Sequence, residues 1–94
     1  MGLIKVSATS QTKAVAGAIA GTFRDFKIAE AQAIGPVAVN QAVKAVVLAR
    51  SFLADEGIQI MVFPEPIDVE IDGNVRTAVK LTVVERVTAE PTVD

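Results

Sequence analysis

The sequence predicts a two-layer α/β (α+β) sandwich in which a four-stranded mixed sheet carries two helices on one face. Two segments with helical periodicity each follow a strand-like segment, and further strand-like segments close the chain. The 94 residues are enough for one hydrophobic core and too few for two. The predicted order is β-α-β-α-β-β, and right-handed crossovers place both helices on the same face. We expect one domain over residues 1–87 and a frayed C-terminal tail over residues 88–94.

The first strand and the first helix are predicted from a change of hydrophobic period. Leu3 to Ser7 alternates apolar and polar residues, as strands do, and Ser10 is a suitable N-cap for the following helix. We expect this helix to run to about Lys27. Its predicted core face consists of Val15, Ile19, Thr22, Phe23 and Phe26.

The second strand is predicted from Ile28 to Ile34 and has two contrasting faces. Three alanines at alternate positions form a face that helices can approach closely, whereas Glu30 and Gln32 form a face that we expect to be solvated. The alanines are Ala29, Ala31 and Ala33.

Gly35-Pro36 ends this strand and begins the second helix, because proline is favoured in the first helical turn. We expect the helix to run to about Glu56 and to stop at Gly57. Its predicted core face consists of Val39, Ala42, Val43, Val46, Ala49 and Leu53.

The rest of the chain is predicted to form an edge strand and a hairpin. Ile58 to Phe63 is apolar, and Pro64 and Pro66 then place this stretch on a sheet edge or in an arm. The segments Ile67–Asp72 and Val75–Leu81 flank a turn signal. Matching their polar and apolar faces favours a three-residue loop, Asp72-Gly73-Asn74, with Ile71 opposite Val75. The carboxylates of Asp68, Glu70 and Asp72 are interpreted as solvated edge charges, because a strand spreads them too far apart for a calcium site.

The composition argues against catalysis. The chain contains no His, Cys, Trp or Tyr, which removes imidazole and thiolate chemistry and the usual zinc and haem ligands. Walker, Rossmann and nucleophile-elbow patterns are also missing from the sequence. We therefore expect a non-enzymatic protein with no catalytic residues, no metal site and no cofactor. The sequence has neither an 18-residue uncharged apolar run nor a leader, so we expect a cytoplasmic location and no membrane partner.

Two basic surfaces are candidates for binding. The net charge of −2 is acidic, but residues 1–50 carry six basic groups against two acidic ones. One face of the first helix carries two glycines between two basic residues, namely Lys13, Gly17, Gly21 and Arg24. The glycines would let the backbone of a binding partner approach closely. The alternatives are that this face is simply solvated or that the glycines pack beneath a loop.

Asn40 and Lys44 lie near the start of the second helix, where free N–H groups and the helix dipole favour an anion, although Asn40 could simply bond locally. Both helices should begin at the same edge of the sandwich, so Lys13 and Lys44 are predicted to be neighbours.

A flank of the second helix predicts a homodimer. Gln41, Ala45, Leu48 and Phe52 form a strip more apolar than a monomer needs. We expect an interface formed by Gln41, Leu48 and Phe52 together with Met61 or Phe63 from the third strand.

Several separated blocks of the chain closely resemble the stage V sporulation protein S family over roughly residues 3–86. The blocks are Leu3-Ile4-Lys5-Val6-Ser7-Ala8, Val15-Ala16-Gly17-Ala18-Ile19-Ala20-Gly21, Gln32-Ala33-Ile34-Gly35, Asn40-Gln41-Ala42-Val43-Lys44-Ala45-Val46, Ala49-Arg50-Ser51-Phe52 and the hairpin from Asp68 to Thr77. That family is similar to the Alba chromatin proteins in the segment around the second strand and second helix and in the long hairpin.

The resemblance implies an Alba-like dimer that binds DNA or RNA through the loop before helix one, the start of helix two and the hairpin. The corresponding residues are Lys13, Asn40, Lys44 and Arg76, and the basic face of helix one adds Arg24. The resemblance also implies a regulator of a bacterial sporulation, developmental or stress programme. Whether its dimers associate further is left open. The alternative is a protein-interaction module that binds another regulator through the helix-one glycine face or the acidic hairpin.

Overall fold

The computed structural model describes residues 2–87 and confirms the order β-α-β-α-β-β. The expected frayed tail, residues 88–94, lies outside the described residues. The elements are β1 (Leu3–Val6), α1 (Thr12–Phe26), β2 (Ile28–Ala33), α2 (Pro36–Ala54), β3 (Ile60–Ile71) and β4 (Asn74–Glu85).

The four strands form one mixed sheet with the order β1-β2-β4-β3. β1 and β2 are parallel, since α1 returns the chain between them, and the other two pairings are antiparallel. β3 is therefore an edge strand, as the two prolines predicted. It continues as a strand through Pro64 and Pro66, because a proline on an edge need not donate a hydrogen bond to a neighbour.

The core lies between the sheet and the two helices, and alanines make up much of it. Ala29, Ala31 and Ala33 of β2 are at most 2% exposed, which confirms the predicted small face. Buried alanines on both helices meet them, namely Ala16, Ala20, Ala38, Ala42, Ala45 and Ala49. Small side chains on both layers let the helix axes come close to β2, and Phe23, Ile19, Leu53 and Val83 fill the remaining space.

The predicted core faces were wrong at two large side chains. Phe26 is 54% exposed and Val43 is 47% exposed. Phe26 is the last residue of α1, directly before Lys27 turns the chain with a positive φ of 63°. Val43 is left exposed at the edge of the core, beside β3, because α2 turns its alanines, rather than its bulkiest residues, toward β2. The core faces of both helices are therefore built largely from alanines, whereas a prediction from hydrophobicity alone favours larger residues at the core.

The helix boundaries also differ from the prediction. Ser10 is not the N-cap of α1: its Oγ accepts a hydrogen bond from the backbone N–H of Ser7 at 2.8 Å, and Gln11 occupies the cap position. α2 ends at Ala54 instead of Glu56. Gly57 follows with a φ of 76°, a left-handed conformation that favours glycine and turns the chain toward β3.

The hairpin turn has two residues, so the predicted three-residue loop was wrong. Asp72 and Gly73 both have positive φ, 51° and 80°, as in a type I′ turn. Ile71 consequently pairs with Asn74, and Glu70 with Val75. The reason is that an Asp-Gly turn of this type matches the twist of the flanking strands, and this local preference outweighs the matching of polar and apolar faces.

The second face of β2 is less solvated than expected. Lys80 of the adjacent β4 forms an ion pair with Glu30 at 3.2 Å, and Gln32 is only 9% exposed. This face, which points away from the helices, is called the open face below. The outer part of the hairpin contributes to covering it.

α2 is the one helix within residues 2–87 that is long and apolar enough to cross a membrane by length and composition alone. Its buried positions, among them Ala42, Ala45, Ala49 and Leu53, belong to the core between the helices and the sheet. Its apolar composition is thus accounted for in part by its role as a core helix.

We predict that Ala31→Leu destabilises the protein, because the larger side chain would push the helices away from β2. Overpacking of this kind lowers the free energy of unfolding by about 1–3 kcal/mol. Denaturant titration measures the free energy of unfolding of each variant. The matched control is Ala18→Leu, which makes the same change on the exposed side of α1. Equal free energies of unfolding for the two variants would contradict the close packing described here.

Candidate nucleic-acid interface

The structure brings the starts of the two helices together. The side-chain amide of Gln41, in the second turn of α2, donates a hydrogen bond from Nε2 to the backbone carbonyl of Ser10 at 2.9 Å. Ser10 lies two residues before α1 begins. The bond therefore connects the first part of α2 to the loop that enters α1, where Lys13 lies. Lys44 is the ninth of the 19 residues of α2, about 12 Å along the helix from Pro36. This geometry agrees with the prediction that the two helices begin next to each other.

Both helix starts present an uncompensated positive dipole end. Neither α1 nor α2 has a side chain that caps its first N–H groups, and neither has an acidic residue in its first turn. The N-cap of α2 is Gly35, whose φ of 85° suits glycine and whose lack of a side chain leaves the helix start open. Unpaired N–H groups at a helix start attract anions, and two such starts share this end of the molecule.

Lys13 and Asn40 lie close to these helix starts, and Lys44 lies one turn beyond Asn40, near the middle of α2. Lys13, Asn40 and Lys44 are all exposed. Within residues 2–87, neither lysine is paired with a carboxylate. Each ammonium group can thus meet an external anion without first breaking an internal ion pair.

The hairpin projects past the same end of the sheet. β2 ends at Ala33, which pairs with Val79, so the residues of β3 and β4 beyond this pair extend past β2. Arg76 lies on this extension, opposite Val69, and is exposed. The structure therefore places Arg76 on an arm next to the end at which the two helices begin.

Arg24 is not brought to this group. It lies near the end of α1, about 16 Å along the helix from Lys13 at a rise of 1.5 Å per residue. Its Nε donates to both carboxylate oxygens of Glu56, at 3.1 and 2.9 Å, and Nη2 donates at 2.6 Å. This hydrogen bonding holds the pKa of Glu56 below its ordinary value and raises that of Arg24. The charge of Arg24 is thus already partnered, at the other end of the domain.

The glycine face of α1 is open surface. Gly17 is exposed and Gly21 is partly exposed, and a Cβ added at either would meet no neighbouring atom of residues 2–87 within 4 Å. The interpretation that these glycines pack beneath a loop is therefore wrong. A solvated face and a contact face for a partner remain as the interpretations compatible with the geometry.

Part of the predicted dimer surface is used within the chain. Gln41 bonds Ser10, Ala45 is fully buried, and Leu48 and Phe52 pack partly against the core. The exposed apolar residues of α2 are instead Val37, Val43 and Val47, at 59%, 47% and 59% exposure.

An apolar groove lies between α2 and the edge strand. It has a volume of about 280 Å³ and is lined by Val43, Val46, Val47, Val62, Pro64 and Leu81. Met61 and Phe63 of the same strand are 38% and 49% exposed. The groove was not predicted, because Val43 was assigned to the core. The signal for it is the second valine one helical turn later, Val47, which with Val43 forms an outward-facing apolar strip.

Comparison with known proteins gives a family and a fold. The model of the family described as stage V sporulation protein S matches residues 2–86. Among solved structures, Alba from Thermoplasma volcanium is similar with a TM-score of 0.58 and 18% sequence identity. The match covers 88% of this chain and 99% of the Alba chain, so the two share the same fold over nearly their whole lengths.

Proposed function

We propose that this chain, which belongs to the stage V sporulation protein S family, is a non-enzymatic, dimeric nucleic-acid-binding regulator of a bacterial sporulation, developmental or stress programme. The observation that carries the proposal is the meeting of two uncapped helix starts with Lys13, Asn40 and the arm that bears Arg76, with Lys44 exposed further along α2. The regulatory role and a cytoplasmic location rest on family membership.

The proposed contact is with the sugar-phosphate backbone. The first-turn N–H groups of α1 and α2 donate to phosphate oxygens, and Lys13 and Lys44 add charge-assisted hydrogen bonds. Asn40, exposed on the same part of α2, can donate its side-chain N–H₂ group to a phosphate or sugar oxygen. Arg76 reaches the nucleic acid from the hairpin. These groups recognise the backbone and not a base sequence.

The acidic net charge is compatible with this contact because the charges are separated in space. Glu56 pairs with Arg24 at the opposite end of the helices. Glu30 pairs with Lys80 on the open face. The hairpin carboxylates Asp68 and Glu70 are next to Arg76 but belong to the edge strand. The segments that begin the two helices carry Lys13 and no carboxylate, so any positive potential is local to them, while the projecting hairpin carries Asp68, Glu70 and Asp72 beside Arg76.

The dimer is proposed to form through the groove between α2 and β3. A second copy can bury Val43 and Val47, which are 47% and 59% exposed in the single chain. The predicted contacts Met61 and Phe63 alternate with the inward-facing Val62 and therefore lie on the opposite face of β3. Burying a valine or phenylalanine side chain contributes about 1.5–3 kcal/mol. Pairing two copies would also double the number of phosphate contacts that one molecule makes.

We predict that Lys44→Glu weakens nucleic-acid binding and leaves folding intact, since the side chain is exposed and unpaired within the described residues. Losing one phosphate contact should reduce the slope of log K against log salt by about 0.9 for duplex DNA. Binding titrations at several salt concentrations measure both effects, and thermal denaturation checks the fold.

Arg50→Glu is the matched control for this experiment. It makes the same change of charge on an exposed position of α2, but near the other end of the helix. The account requires a clearly larger loss of affinity for Lys44→Glu than for Arg50→Glu. Equal losses would show that net charge, and not the helix starts, governs binding.

We predict that Val47→Glu converts the dimer to a monomer, because it places a charge in the apolar groove. Val37→Glu is the control, since Val37 is equally exposed at 59% on the same helix but does not line the groove. Sedimentation at micromolar concentration should give a dimer for the unmodified chain and for Val37→Glu. A monomeric unmodified chain, or a dimeric Val47→Glu, would refute the proposed interface.

A further inference from the structure

The open face of the sheet carries large apolar side chains that no element within residues 2–87 covers. Leu3 of β1 is 41% exposed, and Met61 and Phe63 of β3 are 38% and 49% exposed. All three lie on this face because they alternate along their strands with residues that point toward the helices. The groove beside α2 lies on the other side of the sheet and does not account for them. The open face is therefore a second apolar surface.

Strand register arranges this face in three rows, each crossing the sheet in the order β1-β2-β4-β3. The first row, at the end where β2 begins, contains Ile28, Val84 and Met61. The second row contains Leu3, Glu30, Thr82 and Phe63. The third row contains Lys5, Gln32, Lys80 and Glu65. Beyond the third row, the hairpin and the ends of β1 and β2 line a cleft around Gln32, so the three rows are the open part of the face.

The second and third rows have complementary residues at their two ends. Both ends of the second row are apolar, Leu3 on β1 and Phe63 on β3, whereas the third row ends in opposite charges, Lys5 and Glu65. Three strand spacings, about 14 Å in total, separate the ends of a row and keep them apart within one chain. Neither Lys5 nor Glu65 forms an ion pair with another of residues 2–87. The row ends therefore remain available to a second molecule.

A second copy brings these ends together if the two copies are related by a two-fold axis that runs along the strands, between β2 and β4. Each β1 then faces the β3 of the other copy. Lys5 of each copy meets Glu65 of the other, and Leu3 of each copy meets Phe63 of the other. Sheets packed face to face lie about 10 Å apart with nearly aligned strands, a distance that these side chains span. One axis thus satisfies both the apolar and the charged ends.

The centre of this contact is also complementary. Glu30 and Lys80 form an ion pair at 3.2 Å, and their side chains are only 26% and 25% exposed. The two-fold axis places this pair beside the same pair of the other copy, with each ammonium group next to a carboxylate of the second copy. Burying charges costs free energy, but these groups have lost most of their water contact in the single chain, so the additional cost is small.

The other way to pack two open faces symmetrically uses a two-fold axis across the strands. Centred on the second row, that axis places Met61 against Glu65 and Val84 against Lys80. Each contact would bury a charge against an apolar side chain, which is unfavourable. The register therefore selects the axis along the strands.

We propose that the open face joins two copies of this chain about a two-fold axis along the strands, so that dimers formed through the α2 groove associate further. One copy can use both surfaces because they lie on opposite sides of the sheet. Since the axis follows the strands, the joined copies present their helix starts and hairpins at the same end. The open-face contact requires neither nucleic-acid binding nor the groove contact.

This association is weaker than the groove dimer. The three rows cover four strands and five residues of β3, a patch of about 19 by 17 Å. A stable interface of standard size buries about 800 Å² on each partner, which is more than this patch supplies. We therefore expect the contact to form at millimolar and not at micromolar protein concentration.

The test is sedimentation equilibrium at micromolar and millimolar concentration of the unmodified chain, Lys5→Glu, Glu65→Lys and the variant that carries both reversals. Both positions are exposed, so the fold should tolerate the changes, and thermal denaturation checks this. Each single reversal places like charges together at two points of the contact and should raise its dissociation constant by about tenfold or more. The double reversal exchanges the two charges and should return the dissociation constant to within about threefold of the unmodified value.

Phe63→Ser tests the apolar part of the contact. It should prevent the millimolar association, because it removes the side chain that meets Leu3 of the other copy. The matched control is Phe26→Ser, which makes the same change at a phenylalanine of similar exposure, 54% against 49%, at the end of α1 and off the open face. The control should associate as the unmodified chain does.

Val47→Glu separates this contact from the groove dimer. It should be monomeric at micromolar concentration and form, at millimolar concentration, a dimer that Lys5→Glu abolishes. Three results would each overturn the inference: an unmodified chain that gains no mass between the two concentrations, single reversals that associate as well as the unmodified chain, or a double reversal that does not recover association. None of these results bears on nucleic-acid binding, which the titrations with Lys44→Glu test independently.

Discussion

The contact between the alanine face of β2 and the alanines of both helices is the constraint on which the rest of this structure depends. Ala29, Ala31 and Ala33 leave no room for large side chains above them, so the helices lie close to the strand and to each other. The two helices begin at the same end because the strands they follow are parallel, and the alanine contact brings those starts close together. The alanine contact therefore determines both the core and the position of the helix starts.

The candidate site follows from this arrangement and not from a sequence motif. Two helix starts without side-chain caps provide N–H groups and dipoles, Lys13 provides charge at the same end, and Lys44 provides a second charge near the middle of α2. The hairpin contributes Arg76 and, on its other strand, one wall of the cleft around Gln32. The hairpin also carries Asp68, Glu70 and Asp72, so the absence of carboxylates is confined to the segments that begin the helices.

The sequence predicted the elements of the fold well and its side-chain details less well. Element order, the edge position of the prolines and the small face of β2 are readable because they depend on local periodicity and on proline chemistry. The exposure of Phe26 and Val43 could not be predicted in this way, because a search for the most hydrophobic stripe of a helix overlooks a core face built from alanine. The turn at Asp72-Gly73 was misplaced because matching faces across strands was given more weight than turn conformation.

At the site, local sequence identified the lysines near the helix starts but not the pairing of Arg24, nor the cleft around Gln32. Both depend on residues far apart in the chain, which only the folded structure brings into contact.

The most direct test of the proposed binding surface is a map of backbone amide chemical shifts as a single-stranded oligonucleotide is added to the isotopically labelled protein. The account predicts that the largest changes occur in the loop before α1, at Lys13, at Asn40 to Lys44 and around Arg76. It predicts little change at Arg24 and Glu56, which lie at the other end of the helices. Changes concentrated around Arg24 and Glu56, or no changes at millimolar oligonucleotide, would contradict it.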